Sequence, residues 1–240
     1  MPADRTTRAS AAGRCAAVCD WFAEGWRVVH WAAQILVLSL TLASYRGAQR
    51  VVLARHLVAD TAPVLPWFLV LSSLLSLVII RIVLVTAESY GLSRYALEML
   101  VRVLVLELLP LAAAIFVTLR VALPNAAEIA ALRIQRAYDA APLGEDLLRR
   151  EVLPRALSGL FAMLLTTAVS CVVTALLAYW SVYGFTVAGV PAYTRTFGQV
   201  FAPAVSLIFA AKTLFFGLAV ALLPLATVLA QRRGRRRASV

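Results

Sequence analysis

Four long apolar runs alternate with short polar segments along most of the chain. The runs cover residues 66–87, 95–120, 156–183 and 203–230. A helix needs about 20 predominantly apolar residues to cross the hydrocarbon of a bilayer, and each run reaches that length. The pattern therefore predicts an all-α membrane protein with four transmembrane helices.

A shorter apolar stretch precedes these runs and has a different character. Its strongly apolar part, residues 28–45, is barely long enough to cross a membrane, and arginines flank it on both sides. Tryptophans crowd its start, and tryptophan favours the headgroup level. We therefore expect residues 15–60 to form an interfacial helical segment in the cytoplasmic leaflet, after a mobile polar N-terminus over residues 1–14. A true span is the alternative.

The one long polar interruption, residues 124–155, lies between the second and third runs. Asn125 can cap a helix here, with Glu128 reaching back toward the open amides, and Pro142 and Gly144 can end it. Helical periodicity predicts an apolar face of Ala130, Ala131, Ile134, Ala137, Tyr138 and Ala141. It predicts an opposite, polar face of Glu128, Arg133, Gln135, Arg136 and Asp139. Such a helix is either a solvated connector or a docking element for a cytoplasmic partner.

Composition supports the membrane assignment. The chain is 62% hydrophobic, with a mean hydropathy of +0.86, whereas soluble domains are roughly half apolar. A net charge of +11 could indicate nucleic-acid binding, but the basic residues lie at the ends of the apolar runs, as the positive-inside rule predicts. We therefore expect no nucleic-acid partner, both termini in the cytoplasm, and a basic cytoplasmic tail over residues 232–240.

The motifs of common enzymes are missing from the sequence. It has no G-x-x-x-x-G-K-[ST] loop and no H-E-x-x-H or G-x-S-x-G frame. Cys15, Cys19 and Cys171 form no disulfide or zinc pattern. We therefore expect a protein that is not an enzyme, with no metal site and no cofactor in this chain, so that any ATP would bind a partner subunit.

Four charged residues lie inside the predicted spans, where each costs a few kcal/mol: Arg81, Arg102, Glu107 and Lys212. Glu98 lies one turn before Arg102, which favours a simple ion pair near the outer surface. At 1.5 Å per residue, the other three lie roughly 10 to 14 Å below that surface. We expect them to form one polar layer in which Glu107 faces inward and meets Arg81 or Lys212 rather than lipid. Structural pairing and substrate contact both remain open for them.

Several polar motifs follow one another in a fixed order. Residues 104–110 read L-V-L-E-L-L-P, residues 116–128 read F-V-T-L-R-V-A-L-P-N-A-A-E, and residues 127–141 read A-E-I-A-A-L-R-I-Q-R-A-Y-D-A-A. Residues 145–155 read E-D-L-L-R-R-E-V-L-P-R, and a lysine-threonine pair at Lys212 follows later. This order resembles the MlaE (YrbE) permease family, the membrane subunits of MCE-associated ABC transporters that move phospholipids.

The resemblance implies a permease domain over residues 61–231 in a bacterial inner membrane. It implies four kinds of partner: an ABC ATPase subunit that binds ATP, a periplasmic MCE-domain protein, a second permease chain in a homodimer or with a paralogue, and a phospholipid substrate. It places Glu107 and Lys212 in the substrate cavity, and their depth adds Arg81 as a candidate. It makes the loop helix an ATPase-coupling helix with Glu128, Arg133, Arg136 and Asp139 as its candidate residues.

Several positions depart from the family pattern. Family glycines are replaced at Leu109, Leu119 and Ala122, and Arg136 stands where the family has an acid. These departures indicate a diverged member. They leave an alternative function open, that of a non-transporting membrane scaffold or accessory paralogue that keeps the permease fold.

Overall fold

The computed structural model describes residues 23, 25–38, 49–138 and 148–230. Within these ranges the chain is helical and contains no strand. Four of the described helical stretches are long and apolar enough to cross a membrane: Leu53–Ser89, Tyr95–Gln135, Leu148–Tyr183 and Pro203–Ala230. The prediction of an all-α protein with four spanning helices is confirmed.

We number the described α-helices in chain order. They are α1 (residues 25–38), α2 (Gln49–Thr61), α3 (Val64–Ser89), α4 (Ser93–Leu100), α5 (Leu109–Val117), α6 (Leu123–Tyr138), α7 (Leu153–Tyr183), α8 (Val190–Val200) and α9 (Pro203–Ala230). Three π-helical segments join or precede them: π1 (Val101–Leu108), π2 (Thr118–Ala122) and π3 (Leu148–Val152). Because α4, π1, α5, π2 and α6 follow without a break, the second span and the loop helix form one helical run.

Each π segment ends directly before a Leu-Pro pair, at residues 109–110, 123–124 and 153–154. Proline has no amide hydrogen, so the carbonyl four residues earlier loses its α-helical donor. At the first two sites the leucine amide donates to the carbonyl five residues back, that of Leu104 or Thr118. This is the π-helical pattern. The prolines therefore widen the helical run without ending it.

α7 is the central helix and contacts α2, α3, α5 and α9. Helices in a bilayer gain little from hydrophobic burial against one another, so close packing and hydrogen bonds join them. Thr174 of α7 is hydrogen-bonded to Ser76 of α3, with 2.9 Å between the hydroxyl oxygens. A Cβ at Gly159 would lie 3.7 Å from the Ala221 Cα of α9. Small and hydroxyl residues cover the buried side of α7: Ser158, Gly159, Ala162, Thr166, Thr167, Ser170, Thr174 and Ala178.

α1 packs against the first turns of α6 and the last described turns of α9. Ile35 is buried in a cluster with Ala126 and Ile129 of α6 and with Leu225 and Leu229 of α9. The described part of the N-terminal segment therefore lies beside the loop helix. Its orientation relative to the membrane remains a prediction.

The segment between the third and fourth spans, which the sequence pattern presents only as a short polar segment, contains a helix. α8 turns Tyr193, Phe197 and Val200 toward the bundle and leaves Thr194 and Arg195 exposed. The spacing of four and then three residues between the inward positions is an amphipathic signal that could have revealed it.

Membrane topology gives a first prediction. Single cysteines at positions 10 and 238, in a chain whose native cysteines are replaced, should react with a membrane-impermeant maleimide only after permeabilisation, because the arginine-rich segments are retained in the cytoplasm. Val187→Cys is the matched control, since Val187 is 84% exposed on the predicted outer side. Labelling of position 10 or 238 in sealed cells would contradict the assignment.

Candidate functional site

Glu107 of π1 and Lys212 of α9 form an ion pair inside the spans. The Lys212 ammonium donates to Oε2 of Glu107. Lys212 follows Pro203, the first residue of α9, by nine residues, which places it roughly 14 Å along the helix. Its nitrogen also lies 5.8 Å from the centre of the Phe216 ring, within cation–π range. The predicted contact between Glu107 and Lys212 is confirmed, but the expectation that Glu107 faces inward is not met, because its side chain is 67% exposed.

This ion pair is open on one side of the chain. The side chain of Glu107 is 67% exposed and that of Lys212 is 25% exposed. A charged group that faces hydrocarbon is costly, so this side of the chain should adjoin a water-filled cavity or another protein chain. Glu107 interrupts a stripe of exposed apolar residues spaced four apart: Val103, Leu111, Ile115 and Leu119.

Arg81 does not join this pair in the part of the chain that the structure describes. Ile80 is fully buried against Leu100 and Leu104, and the helical period turns the next residue outward. Arg81 is therefore exposed on α3 next to Ile82. The prediction of one layer of three charges is therefore wrong for Arg81. Depth along a helix does not fix the direction in which a side chain points.

Arg102 forms the local ion pair that the sequence suggested. Its guanidinium lies 3.0 Å from Oε1 of Glu98, one turn earlier. The two side chains are 55% and 42% exposed, and exposed pairs of this kind contribute little to stability. Arg102 is therefore a charged residue of the second span that does not belong to the candidate site.

The loop helix α6 buries a different face from the one predicted. Ala126 and Ile129 are buried, whereas Ile134, placed on the predicted apolar face, is 42% exposed. The helix does not begin at Asn125 but continues from the second span, so the packing of Val121 and Ala122 sets its rotation. The predicted amphipathic face is therefore wrong.

Arg133 lies on the buried side of α6 and not on a solvent-facing polar surface. Its guanidinium donates to the backbone carbonyl of Val228, and the side chain is half-buried. Val228 lies two residues before Ala230, the last residue of α9 that the structure describes. Arg133 thus joins α6 to the C-terminal end of α9.

Glu128 does not cap the helix but binds Arg155. The Arg155 guanidinium lies 3.1 Å from Oε2 of Glu128 and 2.6 Å from Oε2 of Glu151. Its side chain is only 10% exposed, while that of Glu128 is 61% exposed. One guanidinium therefore ties α6 and π3 to the start of α7. The sequence did not single out Arg155, although its four-residue spacing from Glu151 was visible.

A second polar contact joins α2 to the same region. Oδ2 of Asp60 accepts a hydrogen bond from the Asn125 amide at 3.0 Å and another from the Ser158 hydroxyl. Asn125 lies inside the helical run that continues from the second span, so its predicted role as a helix cap is wrong. The sequence offered no signal for Asp60 beyond a lone carboxylate before an apolar run.

The remaining coupling candidates fall where the structure describes no side chains. Arg136 belongs to α6, but its side chain lies outside the described part, and Asp139 lies outside the described residues, as do Pro142 and Gly144. The predictions for these residues stand as predictions.

Four apolar helices that are long enough to span a membrane, with a charged pair within them, define a multi-pass membrane protein. The family model described as Permease MlaE matches residues 53–239. The chain therefore belongs to the MlaE permease family, and the resemblance seen in the sequence is confirmed. No curated protein and no solved structure gives a significant match to the chain.

Proposed function

We propose that this chain is the permease subunit of an ABC-type phospholipid transporter, which couples ATP hydrolysis on a separate subunit to lipid movement between membranes. Family membership supports a permease role in lipid transport. The observation that carries the substrate assignment is the open Glu107–Lys212 pair within the spans. It offers a cation and a carboxylate beside apolar surface, which suits an amphipathic substrate.

In this proposal Lys212 is the contact for the phosphate. Every phospholipid carries a phosphate, whose oxygens accept charge-assisted hydrogen bonds from an ammonium group. Without lipid, Glu107 neutralises Lys212 and lowers the cost of a cation at this depth. With lipid, the phosphate competes with Glu107 for the same donors. Glu107 would therefore stabilise the charge of Lys212 when no lipid is bound and give up this contact to an incoming phosphate.

The helical run that contains Glu107 also contains the proposed coupling helix. α6 continues from the second span through π2, so Glu107 and Glu128 belong to one uninterrupted helical run. A displacement of α6 by an ATPase subunit would be transmitted along this run toward Glu107. Its π segments, which are often found at functional sites, are the places where the run could change shape.

The partner assignments follow from the same arrangement. An ABC ATPase subunit would bind α6 on the cytoplasmic side, in a bacterial inner membrane. A second permease chain, identical or paralogous, would cover the open side of the Glu107–Lys212 pair. A periplasmic MCE-domain protein would receive or deliver the lipid at the opposite end of the spans.

The coupling helix gives a second prediction. Asp139→Arg should weaken co-purification of the ATPase subunit by about tenfold, because a reversed charge at an interface disfavours association without disturbing the fold. Glu88→Arg is the matched control, since Glu88 is exposed at the end of α3 on the opposite side of the membrane. Unchanged ATPase recovery with Asp139→Arg would indicate that this helix is a solvated connector.

Lipid-stimulated ATP hydrolysis tests the proposed function. The assembled permease, ATPase subunit and MCE-domain protein should hydrolyse ATP faster when phospholipid is added in detergent solution. A complex that assembles with all partners, yet shows no response to lipid, would support the alternative of a non-transporting scaffold.

A further inference from the structure

Arg155, in the first turn of α7, is shared by two carboxylates that belong to different helical segments. Its Nη1 donates to Oε2 of Glu151 at 2.6 Å and to the Glu151 backbone carbonyl at 2.9 Å. Its Nε and Nη2 donate to Oε2 of Glu128 at 3.3 and 3.1 Å. One side of the guanidinium therefore binds the helical segment that leads into α7, and the other side binds the separate helix α6.

The two carboxylates differ in how easily each can leave Arg155. Glu151 lies one helical turn before Arg155 in a continuous helical segment, so the helix itself keeps the two side chains together. The side chain of Glu128 is 61% exposed, whereas that of Glu151 is 34% exposed. Water competes more strongly for the more exposed carboxylate, which weakens its ion pair. The contact with Glu128 is therefore the exchangeable one.

Arg155 keeps a counter-ion when Glu128 moves away. The Arg155 side chain is only 10% exposed, and a buried cation without a counter-ion is costly. Glu151 supplies both a carboxylate and a backbone carbonyl to the same guanidinium, and neither depends on the position of α6. The arrangement therefore allows two positions of α6 in which the charge of Arg155 stays compensated.

Polar side chains of α6 bond to three neighbouring helices. Asn125 donates to Asp60 of α2 at 3.0 Å, and Arg133 donates to a backbone carbonyl of α9. Glu128 bonds directly to α7, the central helix of the bundle. The apolar contacts of α6, such as those of Ile129, are not directional and do not fix its orientation in the same way. The position of α6 relative to α7 therefore depends on this ion pair.

We propose that Arg155 is a positioning residue that passes a displacement of α6 to α7, with Glu128 as its exchangeable partner and Glu151 as its permanent one. The inference rests on the proposed function, in which an ATPase subunit displaces α6. It adds a second route to the one along the helical run of the second span. α7 contacts α2 and α3 of the first span, α5 of the second and α9 of the fourth. A shift of α7 would therefore reach the other three spans directly.

Distance measurements on the purified full chain test the link between the two helices. Spin labels on single cysteines at Gln135 of α6 and Ala168 of α7, both exposed, report the distance between these helices once the native cysteines are replaced. Glu128→Ala should widen the distance distribution by about twofold, because non-directional apolar contacts then orient α6 against α7. Glu151→Ala is the matched control and should leave the distribution unchanged, since the contact between Arg155 and Glu128 remains.

The two variants each remove one carboxylate from the same arginine, so a purely structural role of Arg155 predicts similar results for both. Equal distance distributions in Glu128→Ala and Glu151→Ala would overturn the proposal. If Glu128→Ala fails to insert, the comparison of Glu128→Gln with Glu151→Gln decides in the same way. Glutamine keeps the shape of the side chain and removes its charge, which weakens the hydrogen bond to a guanidinium.

ATP hydrolysis by the assembled complex tests the transmission. Arg155→Lys keeps the positive charge, but a single ammonium group lacks the planar fork that binds two carboxylates at once. Stimulation of ATP hydrolysis by added phosphatidylethanolamine should fall by about fivefold, the low end of typical coupling between sites, while KM for ATP stays unchanged. Unchanged lipid stimulation would overturn the proposal. If the unmodified complex shows no lipid response, the proposed function fails, and the spin-label comparison still decides whether Arg155 links α6 to α7.

Discussion

Lys212→Met is expected to weaken phospholipid binding by the assembled complex by about 10- to 100-fold, the range that loss of one hydrogen bond to a charged group produces. Methionine keeps the length and apolar bulk of the side chain, so α9 should still insert and pack. Lys212 is the cation in the open pair with Glu107, and its loss leaves the carboxylate to repel a phosphate. The lipid concentration that half-saturates ATP hydrolysis measures the effect.

Arg102→Met is the matched control for Lys212→Met. It removes one cation from the second span, but Arg102 pairs with Glu98 and lies outside the candidate site. Lipid dependence should therefore be normal in Arg102→Met. Normal lipid dependence and transport in Lys212→Met would show that this lysine has at most a structural role.

Arg155→Met is expected to destabilise the chain by about 1.5 to 3 kcal/mol, the usual contribution of a hydrogen bond to a charged group. Arg155 is 10% exposed and lies within 3.1 Å of Glu128 and 2.6 Å of Glu151. Its loss leaves two neighbouring carboxylates without their shared cation. A denaturant titration of the purified chain in detergent measures the change in the free energy of unfolding.

The expected loss of stability differs between Arg155, a buried arginine that two carboxylates share, and Arg102, which belongs to an exposed ion pair. Arg102→Met serves again as control, because its partly exposed pair should contribute at most about 1 kcal/mol. If Arg155→Met unfolds at the same denaturant concentration as Arg102→Met, the contact between α6 and α7 does not stabilise the fold. A denaturant midpoint that is lowered only in Arg155→Met would support a stabilising role for this contact.

The spanning helices could be predicted because the length and polarity of a run decide whether it can cross a bilayer. The predicted fourth span, residues 203–230, coincides with α9, and the predicted first span differs from α3 by two residues at each end. Two ion pairs could also be predicted. Glu98 and Arg102 lie one turn apart on the same helix, and an unpaired Glu107 within a span would cost a few kcal/mol, so a cation was expected beside it.

The rotation of α6 could not be predicted from its own sequence. Its pattern taken alone placed Arg133 on a solvent-facing side, but the helix continues from the second span through π2, and the packing of that span turns Arg133 toward Val228. The effect of the Leu-Pro pairs was the missing element. Proline usually ends a helix, whereas here Pro124 only widens it.

Contacts between distant segments were also outside the reach of the sequence. Asp60 meets Asn125 and Ser158 because three helices converge, and no local spacing encodes that meeting. Arg81 shows the converse, since its depth was predictable but its direction depends on the burial of Ile80. α8 differs from these cases, because its amphipathic spacing was visible in the sequence.

ATP-driven transfer of phospholipid is the most direct measurement of the central claim. The permease chain, reconstituted with the ATPase subunit and the MCE-domain protein, should move a fluorescent phospholipid between donor and acceptor membranes when ATP is added. Lys212→Met should assemble the same complex and transfer lipid at the rate seen without ATP. A fully assembled unmodified complex whose transfer rate is the same with and without ATP would contradict the account.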